Sequence, residues 1–114
     1  MSAPMDCQLI GRWRIVEADI WDRDYLDLVE PAMMIIEADG YGEIAFGAMQ
    51  AGLYLTYSRT LVSFTWEGSD EMTEVRGTGT AELQDDGTIE IAFASHLGED
   101  AILKAERVTS STSS

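Results

Sequence analysis

Eight short runs of alternating apolar and polar residues, separated by turn signals, are the feature that most constrains this fold. The runs are rich in β-branched and aromatic residues, which favour strands, and no connection between them predicts a crossover helix. They comprise residues 11–20, 32–38, 41–48, 52–58, 60–67, 74–83, 88–95 and 101–108. Asp39-Gly40, Ser58-Arg59 and Asp85-Asp86-Gly87 predict tight hairpin turns. We therefore predict an all-β fold, a small eight-stranded antiparallel up-and-down barrel, because closure removes the exposed sheet edges.

In most of these runs the apolar residues fall on one face, which predicts the barrel interior. Gly77 and Gly79 share that face and predict close packing or sharp coiling of the chain. The second run is apolar on both faces over residues 33–36. We expect its outer side to be covered, either by the N-terminal segment around Leu9 and Ile10 or by a second subunit.

The chain length of 114 residues is that of one small domain. We expect residues 1–10 to pack on or plug the barrel, residues 11–108 to form it, and the polar residues 109–114 to be a disordered tail. The N-terminus lacks the basic and apolar regions of a secretory signal. Because Cys7 is the only cysteine, no internal disulfide can form, which favours a cytoplasmic setting.

A formal net charge of −14 limits the classes of partner. So many carboxylates repel phosphate backbones and anionic lipids, which argues against nucleic-acid and membrane binding. Cationic small molecules and basic proteins fit this charge better.

Connectivity sorts the loops between the two ends of such a barrel, because alternate connections meet at the same end. The three tight turns fall at the end where the first strand begins. The other end, here called the mouth, receives the segment 20–31, Met49-Gln50-Ala51, the loop from Glu67 to Thr73 and the loop from His96 to Asp100. Long loops on a rigid scaffold commonly carry binding residues, so the mouth is the predicted location of a site.

Carboxylates and aromatic side chains are concentrated in these mouth connections. We predict ligand binding by Trp21, Asp22, Asp24, Tyr25, Trp66, Glu67, Asp70, Glu71, His96 and Asp100. Such a set suits an amine, a guanidinium, a metal ion or the basic side chains of a partner. In the alternative interpretation the acids merely solubilise the loops, while Trp21 and Trp66 cap the core.

Catalytic and cofactor motifs are not recognisable in this sequence. His96, the only histidine, is the one weak catalytic candidate: it either acts with Glu99, Asp100 or Asp70 as an acid or base, or is a turn residue bonded to a loop carbonyl. The acids between Asp22 and Asp27 are of the type that binds hard cations, but the glycine and terminal Glu of an EF-hand loop are missing. We accordingly predict no metal site and no cofactor.

The sequence allows two orientations for the side chains of Glu17 and Asp19. Strict alternation from Trp13 places both carboxylates inside the barrel, where burial would make them functional candidates. A bulge near Ile15 would instead send them to solvent and turn Val16, Ala18 and Ile20 inward. The apolar alternate phase favours the bulge.

Gly11-Arg12-Trp13 at the start of the first strand, together with Arg107 near the end of the last, resembles the structural signature of lipocalin and other calycin barrels. The resemblance implies that Trp13 closes one end of the barrel and that Arg107 packs across it. Strand order agrees, because the first strand starts and the eighth ends at the same end. The Thr-Asp-Tyr turn of lipocalins is absent, and the chain is short for that family.

Nearly the whole chain also resembles a family of small uncharacterised bacterial proteins, on the motifs WDRDY, FTWEGSDE and HLGED. This resemblance implies a bacterial cytoplasmic setting and brings no activity or substrate. Our leading hypothesis is a binding protein whose acidic, aromatic mouth takes a small cationic or amphipathic ligand. The alternatives are an interaction module that binds a basic partner or forms a homodimer, and an enzyme that uses His96.

Overall fold

The computed structural model is a closed barrel of eight antiparallel strands, which confirms the predicted fold class. It describes residues 7–28, 30–70, 72–96, 98 and 100–108. The strands, in chain order and barrel order, are β1 (Gly11–Ala18), β2 (Met33–Ile36), β3 (Tyr41–Phe46), β4 (Met49–Tyr57), β5 (Leu61–Asp70), β6 (Thr73–Leu83), β7 (Ile89–Ser95) and β8 (Asp100–Arg107). The one helix of the described residues, α1, spans Arg23–Leu26. Within that same part of the chain, no helix has the length and apolar character needed to cross a membrane.

The barrel closes where β1 pairs with β8, and the register of this pair shifts between Ile15 and Glu17. Val16 is therefore the extra residue of a β-bulge, which reverses the facing of everything after it. Glu17 and Asp19 are exposed, and Ala18 is half-buried opposite the interior residue Leu103. The expected inward position of Ile20 is wrong, because β1 ends at Ala18 and Ile20 is 48% exposed.

Two mouth connections predicted as loops are strand instead. Met49-Gln50-Ala51 belongs to β4, because Met49 pairs with Phe46 across a two-residue turn in which Gly47 has a φ of 60°. The run from Glu67 also remains in the ladder as far as Asp70, which pairs with Thr73. The hairpins of β3–β4 and β5–β6 are thus longer than the apolar pattern indicates.

The interior is filled by the apolar face that the alternation predicts. Trp13, Val62 and Ala81 are among the side chains with no exposed surface, and β2 contributes Met34 and Ile36 to the same core. On the outer side of β2, Met33 and Ile35 are half-buried, with Arg14 and Arg12 as their neighbours in β1. The aliphatic stems of arginines are suited to flank such apolar residues.

Trp13 lies at the end of the barrel opposite the mouth. The guanidinium carbon of Arg107 is 4.3 Å from the centroid of the Trp13 ring, and the indole N–H donates to the carbonyl of Leu9 at 2.8 Å. Arg107 also donates to the carbonyls of Ile10, at 3.1 Å, and Gln8. One cation therefore joins the last strand, the first strand and the segment before it, in which Leu9 is fully buried.

We expect replacement of Arg107 by alanine to lower the free energy of unfolding by about 1–3 kcal/mol, since both the cation–π contact and the charged hydrogen bonds are lost. Arg76→Ala is the matched control, because Arg76 is an exposed arginine of β6 whose hydrogen bonds to His96 are made by its backbone. We expect it to lower the free energy of unfolding by less than about 0.5 kcal/mol. Urea unfolding followed by tryptophan fluorescence measures both, and equal losses would contradict the assigned role of Arg107.

Candidate functional site

The segment between β1 and β2 forms a cap over the mouth. Its helix α1 begins after Asp22, whose carboxylate accepts the N–H of Tyr25 at 2.9 Å in a helix-capping geometry. Asp24 lies in the first turn, where its negative charge interacts favourably with the helix dipole. Leu26 is buried, and its carbonyl accepts the N–H of Gly47 at 2.8 Å. The helix is thereby fixed to the β3–β4 turn.

Asp27 anchors the other side of this cap. One carboxylate oxygen lies 2.8 Å from Nη2 of Arg14 on β1, and the other accepts the N–H of Ala32 at 3.0 Å. Both ion-pair side chains are about one-third exposed, at 31% and 34%, so the pair is only partly screened by water. These contacts give Asp27 a structural role. The described residues contain no group of three or more His, Cys, Asp or Glu side chains positioned to hold a metal ion.

A continuous series of aromatic rings leads from the cap into the core. Trp21 stacks on Tyr25 with ring centroids 5.5 Å apart and contacts Phe46 at 5.1 Å. Phe46 in turn meets Phe93 edge to face at 5.3 Å, and Phe93 stacks on Trp66 at 4.4 Å. Each separation lies at or near the range of favourable aromatic pairing.

These five rings and Asp70 surround a small pit at the mouth, which we call the aromatic pit. Its volume is about 50 Å³, and Met49, Val75, Ser95 and Ala101 complete its lining. A water molecule takes roughly 30 Å³ of liquid, whereas sites for drug-sized ligands span about 300–1,000 Å³. The aromatic pit therefore has room for a group of very few heavy atoms.

The residues predicted for the site divide into two groups. Four of them converge on the aromatic pit: Trp21, Tyr25, Trp66 and Asp70. Asp22, Asp24, Glu67 and Asp100 do not line it: Asp22, Asp24 and Asp100 are exposed, and Glu67 points outward from β5. Glu71 lies outside the described residues. Side-chain alternation along β5 explains why Trp66 and Asp70 enter the pit while Glu67 does not.

His96 has a position away from the aromatic pit. Its ring Nδ1 lies 2.8 Å from the carbonyl oxygen of Arg76 and 3.2 Å from the amide nitrogen of the same residue. Its backbone N–H also donates to that carbonyl at 2.9 Å and so continues the β6–β7 ladder by one step. Around it is a shallow outer depression that also contains Glu67 and Glu74.

Sequence reasoning did not assign Phe46 and Phe93 to the site. Both have the inward phase of their strands, and Phe46 is the last residue of β3, directly before a mouth connection. Strand phase combined with the assignment of connections to the mouth is the signal that could have found them.

A second concave surface lies outside the barrel, across β7, β8 and β1; we call it the acidic groove. It encloses about 770 Å³ and carries six carboxylates around Lys104: Glu17, Asp19, Asp22, Asp85, Asp86 and Glu90. Asp19 extends the sheet here, since its carboxylate accepts the N–H of Ile102 at 2.9 Å. Hydrogen bonds from the side chain and backbone of Thr88 lower the pKa of Asp86 below its ordinary value.

The described residues define a small closed β-barrel with a core of buried apolar side chains and a narrow aromatic pit at its mouth. Searches against protein-family models, curated proteins and solved structures found no match.

The aromatic pit depends on the position of Trp66, which faces Gly77 of β6. A Cβ at Gly77 would lie 2.8 Å from Cζ2 of Trp66 and would also meet the carbonyl oxygen of Ala94. We expect Gly77→Ala to destabilise the fold by about 1–3 kcal/mol, because the core has no room for it. Near-ultraviolet circular dichroism and urea unfolding measure the displacement of Trp66 and the loss of stability.

Gly52→Ala is the control for this substitution. Gly52 is an exposed glycine of β4, and a Cβ there would meet nothing within 4 Å. Since glycine inside a strand costs roughly 0.5–1 kcal/mol relative to alanine, this variant should be neutral or slightly more stable. A loss of stability as large as that of Gly77→Ala would contradict the packing explanation.

Proposed function

We propose that this protein is a binding protein that takes a small cationic group, such as an alkylammonium, in the aromatic pit. The observation that carries the proposal is the convergence of Trp21, Tyr25, Trp66 and Asp70 on a single opening. Aromatic faces attract cations through their quadrupoles, and this attraction strengthens when water is excluded. Asp70 supplies the opposite charge at the same position.

One further observation supports a cation over a neutral ligand, and a second limits the size of the ligand. The net charge of −14 raises the local concentration of cations around the whole molecule. The pit is also too small for a complete drug-sized ligand, at about 50 Å³. It suits an ammonium or methylammonium head, with the remainder of the ligand lying outside on the mouth.

The experiment is a titration of the protein with methylammonium chloride, followed by NMR of the tryptophan indole N–H groups. Trp21 and Trp66 line the pit, whereas Trp13 lies at the opposite end and serves as an internal reference. We expect saturable shifts for the first two and none for Trp13. Tetramethylammonium, which is too large for the pit, and the neutral analogue methanol should bind at least about tenfold more weakly, a difference of about 1.4 kcal/mol.

Asp70→Asn tests the role of the carboxylate. Removing the charge while keeping the shape should weaken methylammonium binding about tenfold. Asp100→Asn is its control, because Asp100 begins β8 near the mouth but does not line the pit. Unsaturable shifts, equal shifts at Trp13, or equal effects of the two substitutions would each count against the proposal.

We also propose that the protein is related to the calycin barrels and is located in the cytoplasm. The contact between Trp13 and Arg107 supports kinship with calycin barrels, and the single cysteine supports a reducing, cytoplasmic location. Fractionation of source cells with an antibody against the protein tests the location, and recovery from the periplasm or medium would contradict it.

The acidic groove favours a second candidate function, the binding of a basic protein segment. Its six carboxylates lie on the outside of the barrel, where a peptide rich in lysine and arginine can reach them. Such binding should weaken steeply with salt, because exposed charges are screened. Fluorescence anisotropy with a labelled oligolysine tests it: Asp19→Asn combined with Glu90→Gln should weaken binding, while Glu43→Gln on β3 should not.

A further inference from the structure

The outer face of β4–β8 carries two adjacent rows of side chains that are almost entirely uncharged. One row follows the strand register through Tyr54, Thr65, Thr78 and Ala94. The next runs through Thr56, Ser63, Thr80, Ala92 and Ile102. We call these two rows the neutral band.

Charged residues resume directly beyond the neutral band on both sides. Towards the mouth, the next row contains Glu67 paired with Arg76. Towards the opposite end, Glu82, Glu90 and Lys104 are cross-strand neighbours. Asp100 stands opposite Ala94 as the β8 member of the first row, so that row is uncharged from β4 to β7 and the second row from β4 to β8. In a chain with a net charge of −14, an uncharged surface four to five strands wide is a distinct feature.

The neutral band is low at its centre and higher at its edges. Its centre consists of the small side chains of serine, threonine and alanine, whereas the large ones stand at its edges. Tyr54 packs edge to face against Tyr41 at 5.8 Å, and the two rings are 52% and 57% exposed. At the far edge Ile102 is 41% exposed. A shallow groove of about 860 Å³ runs between these edges, and its lining includes the carboxylates Asp39 and Asp100.

We propose that the neutral band is the interface through which two copies of this chain form a symmetric dimer. The charge distribution selects this occupant, because a basic partner gains more from the acidic groove than from a face with few charges. A second copy is itself strongly acidic, so the acidic faces repel it more strongly than the nearly uncharged neutral band does. A two-fold axis that lies between the tyrosine edge and the centre of the band places the tyrosine edge of one copy against the small centre of the other.

The dimensions of the neutral band indicate a weak dimer. Five strands spaced about 4.8 Å apart span roughly 20 Å, and two rows of outward residues cover roughly 14 Å along the strands. That area is well below the about 800 Å² per partner of a standard interface, so association should depend on concentration. Salt should strengthen it, because screening reduces repulsion between the acidic surroundings.

Sedimentation equilibrium of the whole chain tests the proposal at low and high salt. We expect the mass to rise from that of the 12.6 kDa monomer towards twice that value with concentration, and to rise further in about 0.5 M sodium chloride. Thr65→Glu, which puts a charge in the centre of the band, should raise the dissociation constant at least about tenfold.

Ser69→Glu is the matched control, since Ser69 is exposed on the same strand and the same face but lies outside the neutral band. It should change the dissociation constant less than about threefold, and circular dichroism should show both variants folded. A monomer at every concentration up to about 1 mM in both salts would overturn the proposal. So would a dimer that Ser69→Glu weakens as much as Thr65→Glu does.

Discussion

Two aromatic side chains inside the barrel each face a glycine, and this complementarity sets the space available to everything else. Trp66 pairs with Gly77 and Phe64 with Gly79, and a Cβ at either glycine would strike the opposing ring. The interior of an eight-stranded barrel is just wide enough for side chains to fill it or for one small ligand. Among the described residues, Trp66 and Phe64 are buried in this space, and the aromatic pit at the mouth, at about 50 Å³, is too small for a drug-sized ligand.

The bulge at Val16 keeps charged side chains out of the barrel interior. By reversing the facing of the residues after Ile15, it keeps Glu17 and Asp19 in water. Within the part of the chain that the structure describes, no charged side chain is buried. An unpaired carboxylate in this apolar interior would be costly, and the register shift is how the barrel avoids it. The same shift supplies two of the carboxylates of the acidic groove.

The alternation of apolar residues predicted the eight strands and the closed barrel because a sheet with one buried face has a period of two. It did not predict the ends of the β5–β6 hairpin. Gly68 and Asp70 occupy inward positions there without being apolar, so only pairing with β6 reveals that they are strand. Helix α1 was missed for a similar reason, since one turn capped by Asp22 leaves no helical period to detect.

The candidate site was predictable to the extent that it depends on connectivity. Counting connections assigned Trp21, Tyr25, Trp66 and Asp70 to one end of the barrel, and these are the predicted residues that line the aromatic pit. Connectivity could not separate them from Glu67, because that requires knowing that the mouth segment is a strand with alternating faces. The position of His96 depends on a hydrogen bond to a backbone twenty residues away, which no local pattern encodes.

Alternation along β5 also explains how one small barrel can offer two kinds of surface at once. Thr65 points outward into the neutral band, while its neighbour Trp66 points inward and Asp70 reaches the aromatic pit. Since successive side chains of a strand lie on opposite sides of the sheet, the two surfaces share a backbone and share no side chain. A charge placed at Thr65 therefore leaves the lining of the pit unchanged, and removing the charge of Asp70 leaves the neutral band unchanged. The two proposed binding surfaces can accordingly be altered one at a time within the same ten-residue strand.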